Sequence, residues 1–469
     1  MNKIVVAIVA LVAVLLLALP PALGTLTESR VRERITAIND NGVLIAEVKS
    51  FDRGWFSSTA KIEIALSPSY LSQVAPSGGP ADVFGRRATI AVDFAHGPVA
   101  VQKGVHLGWS TMVARLDPAT AGLAEIEQQL GVPYIFEFRG RTGFGGGVAF
   151  DADMPPMDVP TGGAQFKFSG ATLDGTYAGN QLVSNTRIDS FEFASPGGTF
   201  VLRNLRLKTD NEVVSQNLAP GSGGLSIESI SAIDPLRGST PFLQIDNLKL
   251  ASAVTLDAAR TLLDVKVTYG LDRVHVAENE VTGAVVGLAV HNLDVETYQH
   301  YVATMRQLAT TSTPADPEAA AARVRADVQR ALAAGPTLVL EPIRFAFDGE
   351  PFEGRAEVTT DPAKLPPGGL TDVDPSVLMG LMNGNADVKL SKALARRLVA
   401  LAAEMQFRGD PRMPPEQLKY MAEAQAGLML VQLVGQGFLV EDGEVYRAAL
   451  RYADGALTLN DKPLPFGLR

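Results

Sequence analysis

The sequence predicts a mostly β fold with additional helices (α+β): elongated, curved antiparallel sheets, a helical pair near 296–334 and two C-terminal helices, preceded by one N-terminal transmembrane helix. Three observations predict it. Apolar and polar residues alternate with a period of two along much of the chain, the period at which successive strand side chains face opposite ways. Gly/Pro/Ser clusters interrupt those runs at 75–80, 143–147, 155–163 and 217–224, as loops between strands do. Sixteen consecutive apolar residues, Ile4 to Leu19, follow Met1–Asn2–Lys3 at the amino end.

A basic tip ahead of an apolar run is the pattern of a secretory signal or of an uncleaved signal anchor. Pro20 to Leu23 extend the run to about the 20 residues a spanning helix needs. Ala22–Leu23–Gly24 is also a small–x–small cleavage pattern, so removal after Gly24 is the alternative to retention as an anchor over 1–24. Lys3 lies on one side of the run, and Arg30, Arg32 and Arg34 lie just beyond the other, so flanking charge does not set the orientation. A three-residue tail before a large downstream domain is the usual signal-anchor arrangement. It places the amino terminus in the cytoplasm and the bulk of the chain in the periplasm.

Residues 25–38 read as a juxtamembrane helix, with Leu26, Val31, Ile35 and Ile38 apolar and Glu28 four residues ahead of Arg32. Asn39–Asp40–Asn41–Gly42 ends it. Residues 39–295 form a β-rich region: Ala60–Ile62–Ile64–Leu66, Ile90–Val92–Phe94, Phe166–Phe168, Phe191–Phe193 and Val265–Val267–Tyr269 all alternate with other residues. Inside it, Leu202–Leu207, Ile245–Leu250 and Val290–Val295 share the form apolar–x–Asn–Leu–x–apolar, which suggests similar strands stacked along a sheet. A helical pair follows over 296–335. The C-terminal α+β region, 336–469, opens on a hairpin turning at Asp348–Gly349. It continues through helices 391–406 (capped by Ser391, with a stripe of Leu394, Leu398, Leu401 and Met405) and 415–434 (Leu418, Met421, Leu428, Leu433), and ends in a β-hairpin.

The chain has 469 residues, enough for two to three domains or one long fold, and its 46% hydrophobic and 20% charged content is a globular balance. A net charge of −10 argues against a broad nucleic-acid surface. With no cysteine, disulfides, thiolate catalysis and Cys-based metal sites are excluded.

The short motifs carry little chemistry. Asp52 to Ser58 reads as a tight reversal in which Gly54 takes φ > 0 and brings Phe51 and Trp55 together in an aromatic hairpin core. His96–Gly97–Pro98 reads as a strand stop. Its histidine has no partner visible in the sequence, and the five histidines show no metal-ligand spacing. Gly143 to Gly147 precedes a strand and lacks the Lys–Ser/Thr of a phosphate loop. Asp151/Asp153 and Asp372/Asp374 fall in Pro-rich stretches and read as solvated charge. No catalytic residue, cofactor site or metal site is expected.

Together, Arg53, Gly54, Trp55, Phe56, Ser57 and Ser58, then His96, Gly97 and Pro98, then Leu450 to Asn460 with Asp454, Gly455 and Asn460, resemble the YdgA-type family of bacterial inner-membrane/periplasmic proteins of unknown function. The marks run in the same order over essentially the whole chain, which departs from the pattern at Pro20–Pro21. The resemblance implies a Gram-negative inner-membrane protein with a large periplasmic portion, and it brings no catalytic residues. The β-rich plan is also similar to that of the AsmA-like proteins, whose curved sheets cradle lipid, a likeness of fold alone. The expectation is therefore a single-pass inner-membrane protein, not an enzyme, that binds or helps transfer a lipid or other apolar ligand in envelope maintenance. The alternative is a structural or assembly module that binds other envelope proteins or a second copy of itself.

Overall fold

A computed structural model describes residues 23–39, 44–67, 87–102, 104–117, 120, 128, 131–215, 217–238, 240–276, 279–310, 317–366, 375–407 and 415–464. Most of the anchor expected over 1–24 lies outside them, as do Asp372 and Asp374. Among the described residues no helix is long and apolar enough to cross a membrane. The chain divides into two compact units. The first is Met1–Pro196 with Arg203–Gly221 and Gln299–Ala315; the second is Gly197–Leu202 with Ser222–Tyr298 and Asp316–Arg469.

In the first unit, helix α1 (residues 23–39) leads into β1 (Leu44–Arg53), β2 (Ser57–Leu66), β3 (Ala88–His96), β4 (Val99–Val101), β5 (Val105–Leu107), β6 (Ser110–Leu116), β7 (Glu137–Thr142) and β8 (Val148–Met154). Then come β9 (Met157–Thr161), β10 (Ala164–Phe168), β11 (Ala171–Ala178) and β12 (Gln181–Ser195). Strands β1, β2, β3, β6, β7, β8, β11 and β12 pair antiparallel in that order. The β9–β10 hairpin continues the β8–β11 pairing past Pro155–Pro156. Residue 170, at φ 95°, has to be glycine there, because a Cβ would stand 2.7 Å from the Met154 carbonyl oxygen. Asn39 ties α1 to the sheet: its amide donates to the Ala46 carbonyl at 2.9 Å, and its Oδ1 accepts from the Ala46 N–H at 2.6 Å. Under α1 sits a core of Ala60, Val92, Phe94 and Ala114, with Val31 and Phe51 packed on it.

Strands β13 (Gly198–Glu212) and β14 (Gly221–Ile233) follow in sequence. The second unit continues with β15 (Pro241–Leu256), β16 (Leu262–Val276), β17 (Asn279–Asp294), α2 (Val295–Thr310), α3 (Pro317–Ala333), β18 (Thr337–Phe347) and β19 (Glu350–Thr360). It ends with α4 (Pro375–Gly380), β20 (Met382–Ser391), α5 (Lys392–Phe407), α6 (Pro415–Gln436), β21 (Val440–Asp442), β22 (Val445–Ala453), β23 (Ala456–Leu459) and β24 (Lys462–Pro463). Strands β15 to β20, β22 and β23 form an antiparallel meander. The Ser391 hydroxyl accepts from the Leu394 N–H at 2.9 Å, the helix cap read from the sequence.

The internal repeat has a conformational meaning. Asn204, Asn247 and Asn292 all adopt left-handed φ, at 51°, 53° and 56°, a region asparagine tolerates far better than most residues. Asn247 Nδ2 donates to Asp272 on the following strand at 2.7 Å, and the Asn292 N–H donates to Asp264 on the preceding strand at 3.0 Å.

Two helical stripes differ from expectation. In α5, Leu394 is buried but Leu398 and Leu401 are exposed, the inward face being completed by Ala395, Ala400 and Ala403. In α6, Ala422, Ala426 and Leu430 are buried while Met421 and Leu428 face out. Small alanines make up most of each inward face and let each helix lie close to its neighbours, so several of the large apolar residues face out.

Candidate functional site

Most of the first motif gathers around the start of α1. The reversal after β1 closes with the Gly54 N–H donating to the Ser57 carbonyl at 2.7 Å. Its glycine is not required by φ: Gly54 is outside the left-handed region, and a Cβ would lie 2.8 Å from Ser57 O. Nor do Phe51 and Trp55 form a joint core. Phe51 packs on Phe94, ring centroids 6.0 Å apart, while Trp55 and Phe56 are exposed at the tip. Arg53 turns to α1, with its guanidinium 3.3 Å from Glu28 and 3.5 Å from the Thr25 hydroxyl.

Ser58 and His96 are each 1% exposed, and Ser58 Oγ lies 2.8 Å from His96 Nε2. Gly24 closes the pair from above: a Cβ at that residue would stand 3.3 Å from His96 Nε2. Burial pushes the His96 imidazole below its ordinary pKa and keeps it neutral at pH 7. Gly97 extends the packing, with its N–H donating to the Trp109 carbonyl at 2.7 Å, and a Cβ there would collide with Gly108 O. The Gly97–Pro98 peptide is cis. A serine beside an imidazole is the start of a nucleophile–base pair. Here His96 Nδ1 is buried with no hydrogen-bond partner among the described residues, so no described third group completes such a pair. The arrangement is suited to latching α1 onto the sheet.

The C-terminal motif belongs to the second unit. Asp454 and Gly455, at φ 52° and 78°, make the tight turn from β22 to β23. Asp454 pairs with Lys364 at 2.8 Å, and that cation holds its carboxyl below the ordinary range. Asn460 Oδ1 accepts from the Ala449 N–H at 2.8 Å, and its amide donates to the Gly437 and Phe438 carbonyls at 2.9 and 3.1 Å. That side chain fastens the end of α6 to the sheet.

Sequence reasoning missed a charged network on β6, β7 and β8. Glu137 is fully buried and accepts from Arg115 at 2.5 Å. Arg139 reaches Asp151 at 2.5 Å and Asp153 at 2.7 Å. The two aspartates are therefore strand residues holding one guanidinium, not loop charge in solvent. Tyr134 donates to Asp153 at 2.5 Å, which with burial pushes the phenol up to about 12. The signal was the cross-strand register, Arg115 opposite Glu137 and Arg139 opposite Asp151, which only folding reveals.

The feature best suited to a ligand is one face of the β15–β23 meander. Cross-strand partners share a face. Val254, Val265, Val290, Leu338, Val358, Gly384, Tyr452 and Leu457 lie opposite one another in succession, forming one row across eight strands. Val267, Leu288, Leu340, Ala356, Ala386 and Leu450 make a second row. Leu250, Tyr269, Val286, Ile343, Gly354 and Val388 make a third. Not one residue of these rows is buried. The alternate face carries Glu353, Arg355, Glu357, Asp387 and Lys389, with Arg355 paired to Asp387 at 2.8 Å. Among the described residues, helical cover falls at two margins. Leu332 of α3 packs on Leu381 at one, and Ala395 and Leu430 of α5 and α6 pack on Tyr446 and Leu390 at the other.

The family model described as bacterial protein of unknown function (DUF945) matches residues 1–466. The chain belongs to this family. No curated protein and no solved structure matches it, so the DUF945 assignment brings neither a reaction nor a ligand.

Proposed function

We propose that this DUF945 protein is a membrane-tethered, non-enzymatic envelope protein. Its bulk lies in the periplasm, and it holds a lipid or other apolar ligand on the bare face of the β15–β23 meander. The observation that carries the reading is the set of three apolar rows, none of whose residues is fully buried, between helical margins. Contiguous apolar surface on this scale marks a binding site, because leaving it in water costs roughly 25 cal/mol per Å². Seven inter-strand steps of about 4.8 Å give a trough roughly 34 Å long. An acyl chain spans about half of the ~30 Å hydrocarbon core of a bilayer, so it fits with room to spare. The YdgA-type resemblance and the apolar run Ile4–Leu19 support the tether and the compartment.

The test is native mass spectrometry of the full chain purified in mild detergent. The reading expects a co-purifying lipid that Leu340→Glu releases while the far-UV circular dichroism is kept. A wild-type protein that carries no lipid would defeat it. The assembly-module reading draws on α6, where Leu428 and Val431 are 75% and 72% exposed. Leu428→Glu abolishing a reproducible protein cross-link in intact cells, with lipid absent, would favour it instead.

A further inference from the structure

We propose that the end of the first unit where α1 begins is a bilayer-docking surface, built from the β1–β2 turn and the outward face of the β4–β5 hairpin. The hairpin pairs Val99 with Leu107 and Val101 with Val105, so these four residues share one face. They are 46%, 66%, 73% and 75% exposed respectively, while Ala100 between them is 1% exposed and faces inward. The inward side is anchored: Gln102 donates to the Asp93 carbonyl at 3.1 Å and accepts from the Thr111 hydroxyl at 2.8 Å. Folding therefore needs only that side, and it leaves four apolar residues together in the open, unlike a scattered surface valine.

Both tryptophans of the chain stand at the same end. Trp55 is 57% exposed beside Phe56, whose carbonyl accepts from the His96 N–H. Trp109 is 37% exposed, lies edge-on to Phe144 with centroids 5.4 Å apart, and donates its indole N–H to the Phe144 carbonyl. Rings with an apolar body and a satisfied polar tip concentrate at membrane–water interfaces.

Lipid is the chosen occupant because of where the outlying chain joins. Residues 1–22, with their sixteen-residue apolar run, enter α1 next to Gly24, which abuts His96 and Ser58. The exposed aromatic and aliphatic patch thus lies where the most apolar segment of the sequence ends. This inference rests on the tether of the proposed function and is independent of the trough.

Tryptophan emission tests it in the full chain reconstituted into phosphatidylethanolamine/phosphatidylglycerol vesicles, with and without brominated acyl chains. Trp55→Phe and Trp109→Phe each leave one reporter, and both variants are expected to lose emission in the brominated vesicles. Val101→Asp with Val105→Asp removes no buried packing and should lessen the quenching of Trp109. If the protein sediments with vesicles but neither reporter is quenched, the docking surface is wrong and the tether stands. If it does not sediment with vesicles, tether and surface fall together. Quenching of Trp109 unchanged by the double aspartate overturns the hairpin's part.

Discussion

The sheet under α1 and the meander β15–β23 carry the same kind of pattern, apolar residues every second position, and reach opposite outcomes. Under α1, Ala60, Val92, Phe94 and Ala114 are at most 7% exposed, because a helix latched through Arg53, Ser58 and His96 lies on them. Along β15–β23 the equivalent residues stay partly exposed, and among the described residues the helices pack at the margins. Alternation says which side of a sheet is apolar; it does not say whether the chain itself supplies the cover. Where it does not, a ligand or partner is the natural complement.

Substitutions can break this comparison, the strongest first. Phe94→Ala removes a ring packed on Phe51 and should cost about 3–5 kcal/mol in denaturant unfolding. Asn460→Ala leaves the Ala449 N–H and two helix-end carbonyls without its bonds, and should cost about 1–3 kcal/mol. It should also loosen the α6 margin, read as faster hydrogen exchange over 415–436. Leu340→Ala, on the partly exposed sheet face, should cost only about 1–2 kcal/mol in lipid-free protein. A loss as large as that of Phe94→Ala would mean the trough is packed in solution, and the contrast would dissolve.

The latch adds a pH dependence. Burial lowers the His96 pKa in the folded state, so the unfolded chain binds the proton first as pH falls. Stability from this group is whole above about pH 6.5 and is lost below that, toward the folded pKa. Protection factors over 23–39, which correct exchange for its intrinsic pH dependence, should therefore fall below pH 6.5, and His96→Gln should flatten that response. Protection in α1 indifferent to pH would place the pH response elsewhere.

Much of the fold was legible because it rests on local signals: period-two alternation, Asp348–Gly349 and Asp454–Gly455 turns, the Ser391 cap. The motif around Arg53 and His96 could be picked out as distinctive, but its joint use could not. Ser58 and His96 are 38 residues apart, and only the β2–β3 register brings them together. Asp151 and Asp153 were misjudged for the same reason, their partner Arg139 being a neighbour across strands. Which stretch of sheet face stays partly exposed depends on which helix covers which margin. That is a tertiary matter set by residues as small as Ala395 and Ala426.

The most direct test puts a photoreactive benzophenone amino acid at Leu340, on the bare face, and at Arg355, on the charged face, and irradiates cells expressing the full chain. Adducts of lipid mass at Leu340 and none at Arg355 are the predicted result. Protein adducts alone at Leu340, or lipid equally at both positions, would contradict the claim that this face is a ligand's seat.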